Sequence, residues 1–115
     1  MKPNLAAGIA LALALTPFVV RPAESLFDGR DLRGWRTWLV DTRHDDPRGV
    51  FGVTNGWIRI SGDGLGYLAS EREFENYRLV VEWKWGTKNT RWGDRIGKAR
   101  DSGIFLHATG PHGNS

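Results

Sequence analysis

His107 is the side chain in this sequence best suited to moving a proton at neutral pH, because imidazole titrates there unperturbed. It closes a short apolar run, Gly103-Ile104-Phe105-Leu106. Alternation along a strand would turn Ile104 and Leu106 to a core and leave Phe105 and His107 on the other face. There the imidazole could act as a general base or a metal ligand; the plainer alternative is a strand-end histidine hydrogen-bonded in a loop. Glu82 and Lys84 alternate in the same way within Tyr77–Trp85, YRLVVEWKW. They offer an acid and a cation on one strand face, or else a solvated cross-strand ion pair of little energetic weight. Asp101 and Ser102 stand just before the apolar run. Asp101 is a candidate acid or ligand, set against the turn-forming role its type often plays. Trp92 sits in a basic, polar stretch, where its face could receive a ligand or anchor the loop on a sheet.

Two further groupings invite chemistry and do not sustain it. Asp41, His44, Asp45 and Asp46 match no ligand spacing of zinc or calcium sites and read as a solvated loop. Ser61-Gly62-Asp63-Gly64-Leu65-Gly66 resembles a phosphate loop, but no helical pattern follows it, so hairpin glycines are expected. His112, in Gly110-Pro111-His112-Gly113-Asn114-Ser115, reads as turn surface.

The elements that must position these residues are strands. Six tryptophans and fifteen glycines in 115 residues suit a β-rich chain with tight turns. Asp28-Gly29 is a turn signal with Leu26, Phe27, Leu32 and Trp35 as apolar anchors around it. Asn55-Gly56 marks a hairpin between Phe51-Gly52-Val53 and Trp57-Ile58-Arg59-Ile60. A further strand starts at Gly66-Tyr67-Leu68-Ala69. Tyr77–Trp85 is the clearest strand of all, with Tyr77, Leu79, Val81, Trp83 and Trp85 predicted to face a core. Residues 86–100 read as a long polar loop of the kind that often carries function. No helix longer than a turn or two is expected after the N-terminal stretch.

That stretch, MKPNLAAGIALALALTPFVVRPA, opens with a one-charge n-region at Lys2 and has an apolar run from Leu5 to Leu15, short of the roughly 20 residues a membrane span needs. Residues 1–23 are therefore expected to be a hydrophobic signal helix, with residues 24–115 secreted or periplasmic and no stable membrane span once the signal is removed. The alternative is an uncleaved anchor. The formal charge is +3, from 16 Lys and Arg against 13 Asp and Glu. Setting aside Lys2 and Arg21 leaves 14 against 13, and no basic cluster forms, so nucleic acid is not an expected partner. With no cysteine, a disulfide framework, a thiolate zinc site and a lipoprotein anchor are excluded. Folds built from short strands with Gly-rich turns commonly need about 200–250 residues. Only 92 follow Ala23 (115 minus 23), so an incomplete β-sandwich or barrel is expected.

Four motifs carry a family resemblance: LFDGRDLRGW (Leu26–Trp35), SGDGLGYLAS (Ser61–Ser70), YRLVVEWKW (Tyr77–Trp85) and ARDSGIFLH (Ala99–His107). In this order and spacing they resemble the 3-keto-disaccharide hydrolase domain, formerly a domain of unknown function. The resemblance implies an all-β, concanavalin A-like jelly-roll β-sandwich, of which this chain would be the N-terminal half. It implies a carbohydrate partner, a glycoside whose 3-hydroxyl has been oxidised to a ketone. It also implies a hydrolase or lyase-type activity on such sugars, against the alternatives of a non-catalytic carbohydrate-binding β-sandwich or an inactive fragment. A 3-keto group acidifies the proton on carbon 2. Chemistry there needs a base, an acid for the leaving oxygen and an electrophile on the ketone, a role open to a divalent cation with oxygen and imidazole ligands. On this resemblance His107, Glu82 and Asp101 are the expected catalytic residues. Lys84, Trp92 and Ser102 are the expected substrate-binding ones, with Trp92 stacked on a sugar ring.

Overall fold

The computed structural model describes residues 14, 15, 17, 21–87, 98, 99 and 101–113. The expected signal helix at 1–23 therefore lies largely outside the described residues, and so does Trp92. Among the described residues there is no helix and there are four strands: β1 (Trp35–Leu39), β2 (Phe51–Thr54), β3 (Trp57–Ile60) and β4 (Gly66–Ser70). They form two antiparallel pairs, β1 with β4 and β2 with β3.

The β2–β3 hairpin follows directly from its turn residues. Asn55 and Gly56 both adopt positive φ, 51° and 76°, as a two-residue turn matching strand twist requires. The register then sets Thr54 opposite Trp57 and Phe51 opposite Ile60. β4 forms where its sequence predicts. β1 was not anticipated, although Trp35-Arg36-Thr37-Trp38-Leu39 alternates acceptably; its partner lies some thirty residues away, with Trp35 opposite Ser70 and Leu39 opposite Gly66. That pairing depends on Gly66: a Cβ there would sit 2.0 Å from the Trp38 carbonyl oxygen, an impossible approach for any other residue.

The core is small. Leu39, Val50 and Phe51 are buried together, with Leu32 and Leu68 packed against them. Local polar contacts hold the loops that deliver these side chains. Asp28 Oδ1 accepts from the amides of Arg30 and Asp31, closing the first turn, and the Trp35 indole N–H donates to the Leu26 carbonyl at 2.9 Å. In the loop between β1 and β2, both oxygens of Asp46 accept backbone amides, from Val50 at 2.8 Å and Phe51 at 2.9 Å. Arg48 pairs with Asp41 at 2.8 Å and donates through Nε to the Asp63 carbonyl, tying this loop to the β3–β4 connection.

Two expectations are corrected. Tyr77–Trp85 is not a strand, and neither is Gly103–Ala108. A strand is defined by a ladder partner, and among the described residues no third strand joins either pair. The faces predicted as core are exposed in consequence: Leu79 at 38%, Trp83 at 64%, and Ile104 and Leu106 likewise open. The predicted alternation survives as a bias, since Val80 (72%) is more exposed than Leu79 or Val81. Trp83 and Trp85, expected in a core, instead meet edge to face at 5.0 Å.

Candidate functional site

Glu82 and Lys84 line an open groove of about 460 Å³ together with Trp57, Val81 and Trp83. Trp57 is the first residue of β3, delivered by the Asn55-Gly56 turn. Its ring is half exposed. The Lys84 ammonium lies 5.5 Å from the Trp57 ring centroid, within cation–π range. An aromatic face flanked by a carboxylate and an ammonium can stack on an apolar ring face and hydrogen-bond groups at its edge. Sequence reasoning missed Trp57, taking it only as a hairpin residue. Its signal was positional: a large aromatic directly after a two-residue turn has little around it to bury it.

His107 is placed differently from its prediction. Its φ is 56°, in the left-handed region that non-glycine residues seldom enter. A residue with that backbone cannot continue a strand, so strand parity does not orient its side chain. The exposed imidazole instead lies against the Tyr77 ring, centroids 5.9 Å apart and tilted by 34°. Asp101 and Ser102 are exposed on the same segment. Neither they nor His107 line the groove of Glu82 and Lys84. The predicted site residues among those described thus fall in two groups: Glu82 and Lys84, beside Trp57, in one, and His107, beside Tyr77, with Asp101 and Ser102 on its segment, in the other.

Among the described residues, no three His, Cys, Asp or Glu side chains gather to hold a metal ion. His107, Glu82 and Asp101 do not fit a divalent cation as a ligand set in this arrangement. Asp41 and Asp46, drawn in the sequence as possible ligands, direct oxygens to Arg48 and to backbone amides. The carboxyls held below their usual range belong to the scaffold. The Arg48 guanidinium hydrogen-bonds Asp41 and holds its carboxyl below the usual range. Arg72 does the same for Glu24, and the Arg30 and Asp31 amides do it for Asp28.

His112, expected on a turn surface, belongs to an aromatic cluster. Trp38 and Tyr67, opposite each other in the β1–β4 register, stack at 5.4 Å. His112 lies over Tyr67 at 5.8 Å and meets His44 edge to face at 5.1 Å. Nothing local to GPHGNS could have signalled this, because the partners lie 45 and more residues away.

No curated protein matches the chain, and no solved structure does. Residues 22–115, the stretch that contains all four motifs, match the model of the 3-keto-alpha-glucoside-1,2-lyase-like domain, and the chain belongs to that family.

Proposed function

We propose that this chain contributes the N-terminal part of a secreted or periplasmic jelly-roll domain that cleaves 3-keto glycosides. The observation that carries the proposal is the family match over residues 22–115. The exposed apolar rows of Tyr77–Trp85 and Ile104–Leu106 are compatible with the jelly-roll part of it, since a sandwich covers such rows with its second sheet. In the proposed reaction His107 removes the proton from carbon 2, and its electron pair is taken up as the enolate of the carbon 3 ketone. Collapse of the enolate expels the glycosidic oxygen from carbon 1, which Glu82 or Asp101 protonates, leaving an enone. Water adds at carbon 1 with a proton at carbon 2, giving the free 3-keto sugar. Lys84 and Ser102 donate hydrogen bonds to the ketone and hydroxyl oxygens, and Trp57 or Trp92 stacks on the sugar ring.

The test is release of a chromogenic aglycone from a 3-keto glucoside, compared with the unoxidised glucoside. Turnover confined to the 3-keto substrate, and reduced about 10²–10⁴-fold in His107→Ala, is the expected result for a general base. A second reading, carbohydrate binding without catalysis, draws support from the absence of His107 from the Glu82–Lys84 groove. Sugar affinity lost in Trp57→Ala, with no turnover of either glucoside, would decide for it. A chain that neither turns over nor binds sugar, and that unfolds without cooperativity, would sink both and leave an inactive fragment.

A further inference from the structure

The backbone of His107, at φ 56°, lies in a left-handed region that side chains with a Cβ seldom enter, so the structure around it must hold it there. On one side of it stands the Tyr77 ring. On the other, five and six residues along the chain, His112 and Gly113 dock on the outer face of β1 and β4. The Gly113 amide donates to the Tyr67 hydroxyl oxygen at 2.9 Å, and the same hydroxyl lies 2.9 Å from His112 Nδ1. Gly113 takes φ 82° and lies so close to the Trp38 indole that a Cβ would fall 2.3 Å from Cζ2. Only glycine can make that approach. The receiving face is itself braced: Thr37 and His44 exchange two hydrogen bonds at 3.0 Å, Thr37 Oγ1 to the His44 carbonyl and His44 Nδ1 with the Thr37 carbonyl. Arg43 lies over the Trp38 ring at 5.4 Å.

We propose that Tyr67, His112 and Gly113 form a latch that fastens the segment after His107 to the β1–β4 pair, and that these three are positioning residues for the His107 imidazole. The latch joins parts of the chain 45 and 46 residues apart. It sets where the segment ends, while Tyr77, itself edge to face with Phe74 at 6.3 Å, sets where the imidazole rests; between these two contacts the backbone at His107 is held left-handed. Once the latch opens, the segment loses its far anchor. His107 then relaxes to negative φ, and its ring leaves Tyr77. The latch is a property of this chain's folding and does not depend on the activity proposed above.

The test uses NMR of the full chain, reading Gly113 amide exchange, the His107 amide–Hα coupling that reports φ, and the ring-current shift of the His107 imidazole from Tyr77. Tyr67→Phe keeps a ring to stack on Trp38 but removes the hydroxyl. It is expected to speed Gly113 exchange about fivefold, as for one ordinary hydrogen bond, and to move the His107 coupling and ring shift to those of a relaxed residue. Gly113→Ala, outside every strand, is expected to do the same by collision with Trp38. The Val40 amide, bonded to the Leu65 carbonyl at 2.9 Å, reports whether β1–β4 survives in each variant. If that amide stays protected and Gly113 exchange rises while the His107 coupling and shift stay at wild-type values, the positioning role is overturned. Unchanged Gly113 exchange in Tyr67→Phe overturns the latch itself.

Discussion

Asp46 offers the sharpest test of what holds the described fold together. Its two carboxylate oxygens accept the amides of Val50 and Phe51, the residues that enter the core and begin β2. Val50 is fully buried and Phe51 nearly so, leaving little water to replace the lost acceptor. A hydrogen bond to a charged group contributes about 1.5–3 kcal/mol. Asp46 is itself only partly buried, so the low end applies, and Asp46→Ala should cost about 3 kcal/mol for the pair. Asp46→Asn keeps one acceptor oxygen and turns an NH₂ toward the other amide, so about half or slightly more of that loss is expected. With so few buried residues, a loss of this size is a large share of the stability available. The assay is urea unfolding followed by tryptophan fluorescence, in which buried Trp38 should report the transition. An Asp46→Ala variant less than about 0.5 kcal/mol below wild type would refute the claim that these two bonds organise the loop. The consequence reaches the candidate site, because the same hairpin carries Trp57; Lys84 should lose its aromatic partner as the hairpin loosens.

Gly66→Ala places a Cβ on the Trp38 carbonyl oxygen, so the β1–β4 ladder should part near Leu39, seen as loss of exchange protection at Val40; retained protection would show that the strands shift without cost. Acid sensitivity should follow Asp41, whose carboxyl is held below its usual range by Arg48, and Glu24, held down by Arg72. Depressed folded-state values mean that this stability is fully present above the ordinary carboxylate range and is lost as pH falls through the folded values. Urea midpoints taken from neutral to strongly acidic pH should therefore fall less steeply in Asp41→Asn than in wild type, and equal slopes would count against the Arg48 contact.

The features legible in the sequence were local ones. Asn55 and Gly56 predict a two-residue turn because the conformation of such a turn is decided by the two residues in it. The Asp28 turn and the start of β4 were readable for the same reason. The candidate site was legible only in part: Glu82 and Lys84 line one groove, but Val81 and Trp83, assigned by alternation to the other face, line it too, and Trp57 joins them from a hairpin some thirty residues earlier. His107 was singled out for its chemistry, and that choice stands as a proposal, yet the strand that was to orient it does not exist among the described residues.

By itself, then, the sequence determined family membership, through four motifs in order along the chain, and the β character and turns of the described residues, through residue types at short spacing. Tertiary structure decided the pairing of β1 with β4, the docking of His112 and Gly113 on Tyr67, the left-handed backbone of His107 and the exposure of Tyr77–Trp85. All of these depend on which distant segment supplies a partner. Alternation of apolar side chains says which residues share a face, but whether that face is buried, and whether the segment is a strand at all, depends on what lies against it.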